Sequence, residues 1–166
     1  SRADREEDGL LRLLAGARIR SVTRDSRDRL WLSTWGENGL LRYDHGKVIS
    51  FGIGEGLLSN YIRAVCERKD GSMLVVHSGG IAVIEGDRVT ASYGKENGIV
   101  NTESLTAAEA KNGDILLGSN GDGIYVINDC GTRRISYEEG LSSGFVMKIK
   151  HDEARGVYWV VIRQFI

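Results

Sequence analysis

The sequence predicts an all-β fold: a partial β-propeller of about three and a half four-stranded blades of ~42 residues each. Three observations carry this. Gly56-Leu57, Gly98-Ile99 and Gly140-Leu141 recur at equal steps of 42 residues, from 56 to 98 to 140. Asp28, Gly71, Gly113 and Gly156 mark tight turns at nearly the same interval. The chain holds 22 glycines and no proline, so its turns rest on Asp-Gly, Asn-Gly and Gly-Gly pairs that tolerate positive φ. A period this long is neither a helix nor a strand rhythm. It is one supersecondary unit that cannot bury its own faces and must stack on copies of itself.

The elements follow in order. Residues 1–18 read as the end of a preceding blade, with Gly9-Leu10 as its connector. Leu10, Leu11, Leu13 and Leu14 have near-helical spacing, but we read them as connector leucines facing a neighbouring blade. Blades are expected over 19–61, 62–103 and 104–145, with a further, truncated blade starting at 146–166. Polar connectors GEGLLSN (54–60), KENGIVN (95–101) and YEEGLSS (137–143) separate the units. Turn-plus-strand segments follow: SRDRLWLST (26–34), KDGSMLVVH (69–77), KNGDILLGS (111–119) and EARGVYWVV (153–161). Glycine-led strands come next as GLLRYD (39–44), GIAVIE (80–85) and GIYVIN (123–128). Each unit closes with a short strand ending in an aromatic at Phe51, Tyr93 or Tyr137. HEAT-like arrays share this length, but Val/Ile-rich segments between glycine turns are strands, not helices.

Composition excludes several classes. A net charge of −1 gives no electrostatic argument for nucleic acid or an anionic membrane. No stretch reaches the 18 or so apolar residues of a membrane span, and the N-terminal SRADREED is not a secretory leader.

The segment DSRDRLWLSTWGENGLLRYDHGKVISF (25–51) followed by GEGLLSN resembles the two-component regulator propeller repeat. The likeness runs over residues 19–162, with Met73-Leu74 and Ile115-Leu116 replacing the Leu-Trp pair in the second and third units. The resemblance implies the extracytoplasmic sensor region of a membrane-anchored bacterial receptor, of the hybrid histidine kinase or GGDEF type. It also implies carbohydrate sensing, and any kinase or cyclase activity would lie outside this sequence.

Topology selects a ligand face. In an up-and-down blade, the loop after the second strand opens on the same side as the connector to the next blade. That face gathers Trp35, Glu37, Asn38, Asn60, Tyr61, His77, Ser78, Asn101, Glu103, Asn120, Asp122, Ser142, Ser143 and Phe145. Trp35, Asn38, Asn60, Tyr61, His77, Asn101, Glu103, Asn120, Asp122 and Phe145 are the candidate ligand contacts. Aromatic rings would stack on sugar faces, while amides and carboxylates would bond hydroxyls. His77 is the histidine placed for contact; otherwise it reads as a solvated strand end.

Catalytic motifs do not survive their repeat context. Gly140-Leu-Ser142-Ser-Gly144 matches the nucleophile-elbow pattern, but equivalent positions elsewhere are plain connectors. His45, His77 and His151 fall at different repeat positions, as do Cys66 and Cys130, so no catalytic group, metal site, disulfide or cofactor is expected. The reading is a non-catalytic sensor module for a glycan or small polar molecule. The alternatives are a propeller enzyme (a lyase or glycan-active protein) and a scaffold or dimerisation propeller without ligand. Exposed blade edges predict partners: a second copy, or the remaining blades of a longer chain.

Overall fold

A computed structural model describes residues 11–164 apart from Leu13. The Gly9-Leu10 connector lies outside the described residues. Leu11, Arg12 and Leu14 take helical backbone, a local coil that the i, i+3 leucine spacing supports and the connector reading left out.

The first sheet contains β1 (Ile19–Arg24), β2 (Leu30–Thr34), β3 (Leu40–Asp44) and β4 (Lys47–Phe51). The second contains β5 (Ile62–Glu67), β6 (Met73–His77), β7 (Gly80–Glu85) and β8 (Arg88–Tyr93). The third contains β9 (Ser104–Glu109), β10 (Ile115–Ser119), β11 (Ile124–Asn128) and β12 (Gly131–Ile135). Within each, the strands pair antiparallel in sequence order. A fourth sheet pairs β13 (Phe145–Asp152) with β14 (Val157–Arg163). First strands of successive sheets approach one another, β1 to β5, β5 to β9 and β9 to β13. They are the inner strands of a propeller segment.

The core sits between sheets. Trp31, Leu40 and Phe51 pack on Val65, Met73 and Val75 at the first junction, with Trp31 stacked on Phe51 at 5.8 Å. At the second, Leu74, Val76 and Ile81 meet Ile115, Leu117 and Tyr125. Every residue of β6 is buried, because sheets lie on both of its sides. Each fully buried large apolar side chain contributes about 1.5–3 kcal/mol.

Turn chemistry explains the period. Asp28, Gly71, Gly113 and Gly156 all adopt positive φ (66°, 81°, 90° and 65°). Beside the first turn, buried Asp25 accepts from the Arg29 side chain and the Trp31 indole. Burial pushes its carboxyl up, but the donors from Trp31 and Arg29 prevail and hold it below the usual range. These turns also latch neighbouring sheets. The N–H groups of Ser26, Lys69 and Lys111 donate to Glu67, Glu109 and the Tyr158 hydroxyl, each at 2.8 Å.

The recurring glycine pairs end short 3-10 turns at Ile53–Glu55, Lys95–Asn97 and Tyr137–Glu139. Gly56, Gly98 and Gly140 are left-handed, with φ 108°, 86° and 99°. The N–H groups of Leu57, Ile99 and Leu141 return to the carbonyls of Gly52, Gly94 and Ser136, closing a Schellman-type cap. The third unit corrects one expectation. Its last strand ends at Ile135, which pairs with Ile124 as Phe51 pairs with Leu40. Tyr137 falls instead in the 3-10 turn, exposed.

A second correction concerns His77. It is not solvated at a strand end: it is fully buried, with Nδ1 3.0 Å from the Ser78 carbonyl oxygen. Burial depresses its pKa below the ordinary 6.5, against the opposing pull of that carbonyl. The loop beyond β6 is too short to shield it, but the next connector covers it, Gly79 N–H donating to the Thr102 carbonyl at 2.8 Å.

Two predictions follow from these positions. A Cβ on Gly123 would stand 2.2 Å from the Ile135 carbonyl oxygen, whereas one on Gly98 would meet nothing nearer than Thr132 at 3.8 Å. Gly98→Ala should cost about 1–2 kcal/mol, the left-handed penalty alone, and Gly123→Ala clearly more; urea unfolding gives both values. For His77, the unfolded chain protonates where the folded ring stays neutral. Its stability contribution is therefore present above about pH 6.5 and lost as pH falls below it. The melting temperature should drop between pH 7.5 and 5.5, and drop less in His77→Gln. Equal slopes in the two proteins would sink this assignment.

Candidate functional site

Backbone bonding brings the loop after each second strand to the connector of the next sheet. Trp35 forms an isolated antiparallel bridge with Tyr61, and Asn120 one with Phe145. Trp35 N–H, Ser78 N–H and Asn120 N–H donate to the carbonyls of Arg18, Tyr61 and Glu103, at equivalent points of three units. One face of the propeller segment therefore carries three junctions built on one backbone-bonding plan, differing in side chains and in loop length.

The first junction is aromatic and basic. Trp35 and Tyr61 meet edge to face at 5.8 Å and 81°. The guanidinium carbons of Arg20, Arg63 and Arg18 lie 4.4, 5.0 and 5.4 Å from the Trp35 ring centre. Any two of them are therefore within about one Debye length of each other. Among the described residues no carboxylate pairs with any of the three, and the Arg63 Nε is buried without a hydrogen-bond partner. Beside them is a cleft of about 380 Å³ lined by Arg18, Trp35, Glu37 and Asn38.

Bulges aim these arginines. In β1 the pairing register shifts between Ile19 and Ser21, leaving Arg20 as the extra residue; in β5 it shifts between Ile62 and Ala64, leaving Arg63. The same irregularity isolates Leu105 in β9 and Met147 in β13. A bulge re-aims the side chain it isolates. Four inner strands thus present Arg, Arg, Leu and Met at one repeat position. Arg20 and Arg63 were missed in the sequence because they lie in strands, outside the loops, and Arg18 because residues 1–18 were read as the end of a preceding blade. The signal was available: Arg20 and Arg63 are equivalent, and the later units replace them with apolar residues.

The third junction is polar and already satisfied within itself. Asn101 accepts from Glu103 N–H at 2.9 Å and donates Nδ2 to the Asn120 carbonyl at 3.0 Å. The Asn120 amide donates to Glu103. Asp122 accepts from the Tyr125 hydroxyl and pairs with Arg134. Burial and then the Asp122 contact push the Tyr125 phenol up. The Phe145 ring lies against Gly121. Asn101 also serves as a turn residue, as Ser59 and Ser143 do for Tyr61 N–H and Phe145 N–H. Asn60 is similarly engaged, its Oδ1 accepting from Ile53 N–H at 3.0 Å.

The ten candidate contacts thus separate. Trp35 and Tyr61 share the first junction, with Asn38 on its cleft. Asn101, Glu103, Asn120, Asp122 and Phe145 share the third. Asn60 supports a connector, and His77 is buried away from solvent. Among the described residues no group of three His, Cys, Asp or Glu side chains could hold a metal ion.

A larger cavity, about 690 Å³, lies between the third and fourth sheets and is lined by Leu116, Ile124, Val126, Ile135, Ile149 and Val160 among others. Its apolar wall is the sheet face that four strands cover at the two earlier junctions. It is an open slot beside β14, and Lys111, Asn112, Asp114, Arg133 and Tyr158 line it as well.

Residues 13–36 match the family model of the two-component regulator propeller. No curated protein matches the chain. Among solved structures, the extracellular domain of a hybrid two-component system of B. thetaiotaomicron superposes with TM-score 0.69 and 20% identity, over 86% of this chain and 20% of that one. The extracellular domain of a one-component system of the same organism gives 0.70 and 20%, over 92% of this chain and 24% of that one. Virginiamycin B lyase of Staphylococcus aureus gives 0.68 and 16%, over 88% and 49%. The chain spans about a fifth to a quarter of the length of those extracellular domains. At such identities the likeness speaks to fold. Together, the match over residues 13–36 and the stacked four-stranded sheets lead to one conclusion: the chain has the fold of a β-propeller segment, and its first sheet opens with a stretch similar to the two-component regulator propeller.

Proposed function

We propose that the chain is part of an extracytoplasmic propeller module of a membrane-anchored bacterial signalling receptor, recognising a carbohydrate or another small polar molecule at the Trp35–Tyr61 junction. The carrying observation is that the segment matching the two-component regulator repeat ends at half-buried Trp35, set against exposed Tyr61 beside a polar cleft. A repeat supplies the frame, and side chains that break the repeat on loops of a rigid scaffold supply recognition. Extracytoplasmic placement follows the extracellular domains that this fold resembles.

The enzyme alternative draws on the lyase likeness. One of those lyase structures is of a catalytically inactive histidine-to-alanine variant. Here His77, the histidine the sequence places for ligand contact, is fully buried. That favours binding without turnover.

Screening the full chain against a glycan library by thermal shift tests the reading. A ligand at a hundredfold excess over its Kd stabilises by about 2.7 kcal/mol, roughly 5–10 °C for a chain of this size. The shift should vanish in Trp35→Ala, with the sugar recovered unchanged. A library without any shift, or consumption of the sugar, overturns the proposal.

Association is proposed from the sheet faces. Ile19 and Val22 on the first sheet, and Trp159 and Val161 on the fourth, are 43%, 56%, 56% and 55% exposed. Further blades or a second copy would cover them. Sedimentation velocity should show self-association weakened by Trp159→Glu; a well-folded monomer would contradict it.

A further inference from the structure

We propose that Arg18, Arg20 and Arg63, gathered round Trp35, form a binding site for an oxyanion: the carboxylate or sulfate of an acidic saccharide. This deepens the sensing proposal and rests on it for the saccharide, though not for the anion. Three features of the junction lead to the charge. The guanidinium carbons lie 4.4–5.4 Å from one indole centre, and no described carboxylate offsets them. Other arginines do find carboxylates, Arg29 with Asp25, Arg42 with Asp87, Arg68 with Glu109 and Arg134 with Asp122, and the three at this junction differ in converging on one ring without one. Arg63 also keeps a buried Nε that no protein atom satisfies.

The positions are built, not incidental. Arg20 and Arg63 are bulge residues of two neighbouring inner strands, and Arg18 carries the carbonyl that anchors Trp35 N–H at 3.0 Å. A guanidinium fork matches an oxyanion with two parallel hydrogen bonds. Cation–π contact with the indole holds the forks in place while leaving their N–H groups available. The adjoining cleft adds Glu37 and Asn38 for hydroxyls, and Tyr61, 49% exposed, offers a ring for stacking. An anionic group at the arginines with a sugar ring in the cleft uses all of these parts. A neutral sugar would leave three like charges uncompensated.

Isothermal titration calorimetry on the full chain, with sodium glucuronate, sodium sulfate and glucose as separate probes, tests this. Glucuronate should bind, more weakly as salt is raised. Arg20→Gln and Arg63→Gln should each weaken it about tenfold or more, with Arg63→Lys recovering part of the loss. Circular dichroism of each variant separates lost binding from lost folding, and removing one of three like charges should not unfold the chain. Glucuronate bound tighter than sulfate assigns an acidic sugar; equal binding assigns the bare oxyanion. Failure of both anions to bind, or binding unchanged in the Arg20→Gln, Arg63→Gln double variant, overturns the inference. A neutral glycan stabilising the chain through Trp35 while both anions do nothing overturns this inference and leaves the sensing proposal standing.

Discussion

A four-stranded sheet with apolar residues on both faces cannot be covered by its own turns, and that constraint organises the rest of this structure. Trp31, Leu40 and Phe51 are buried only because Val65, Met73 and Val75 of the next sheet lie against them. β6 and β7 are buried nearly end to end because they have a sheet on either side. Coverage must therefore repeat, and its spacing fixes the spacing of everything else. The three left-handed glycines, the three latching N–H groups and the inner-strand bulges all recur at that spacing. Where coverage stops, at Trp159 and Val161, apolar side chains face outward.

The latches show how packing and polar bonding cooperate. Ser26, Lys69 and Lys111 use the same backbone N–H to grip the following sheet, yet the acceptor changes from Glu67 and Glu109 to the Tyr158 hydroxyl. What is preserved is satisfaction of a donor at a tight turn, not the identity of its partner. Glu109 takes a second bond from Arg68 and is held between two sheets. Such a pair orients neighbours while costing desolvation. The apolar junction provides the energy and the latch provides the register.

Most of the frame was legible in the residues. Positive φ demands glycine or a tolerant Asp, so Asp28, Gly71, Gly113 and Gly156 announced their turns directly. Strands bounded by such turns had few places to go. The site was less legible, for physical reasons that differ by residue. Arg20 and Arg63 owe their aim to bulges, and a bulge is a property of pairing between strands that residue type alone does not display. His77 ends its strand, yet the following sheet's connector closes over it. Asn101 looked available as an amide and is instead consumed in a turn and a bond to the neighbouring loop. Tyr137 stood two residues past the position its aromatic relatives occupy.

The contrast between the first and third junctions narrows where recognition can occur. Both have the same backbone plan. At the third, Asn101, Glu103, Asn120, Asp122, Tyr125 and Arg134 satisfy one another, so a ligand there would have to displace bonds already made. Displacement gains little, because each bond formed replaces one lost. At the first, the arginines form no such network and repel one another across a single ring. A ligand that neutralises them gains interaction without breaking any, and the free state is higher in energy for lack of it. Preorganised, uncompensated charge is the condition under which a surface binds instead of merely standing in water. That asymmetry points to Trp35 and its arginines, not to the propeller face as a whole.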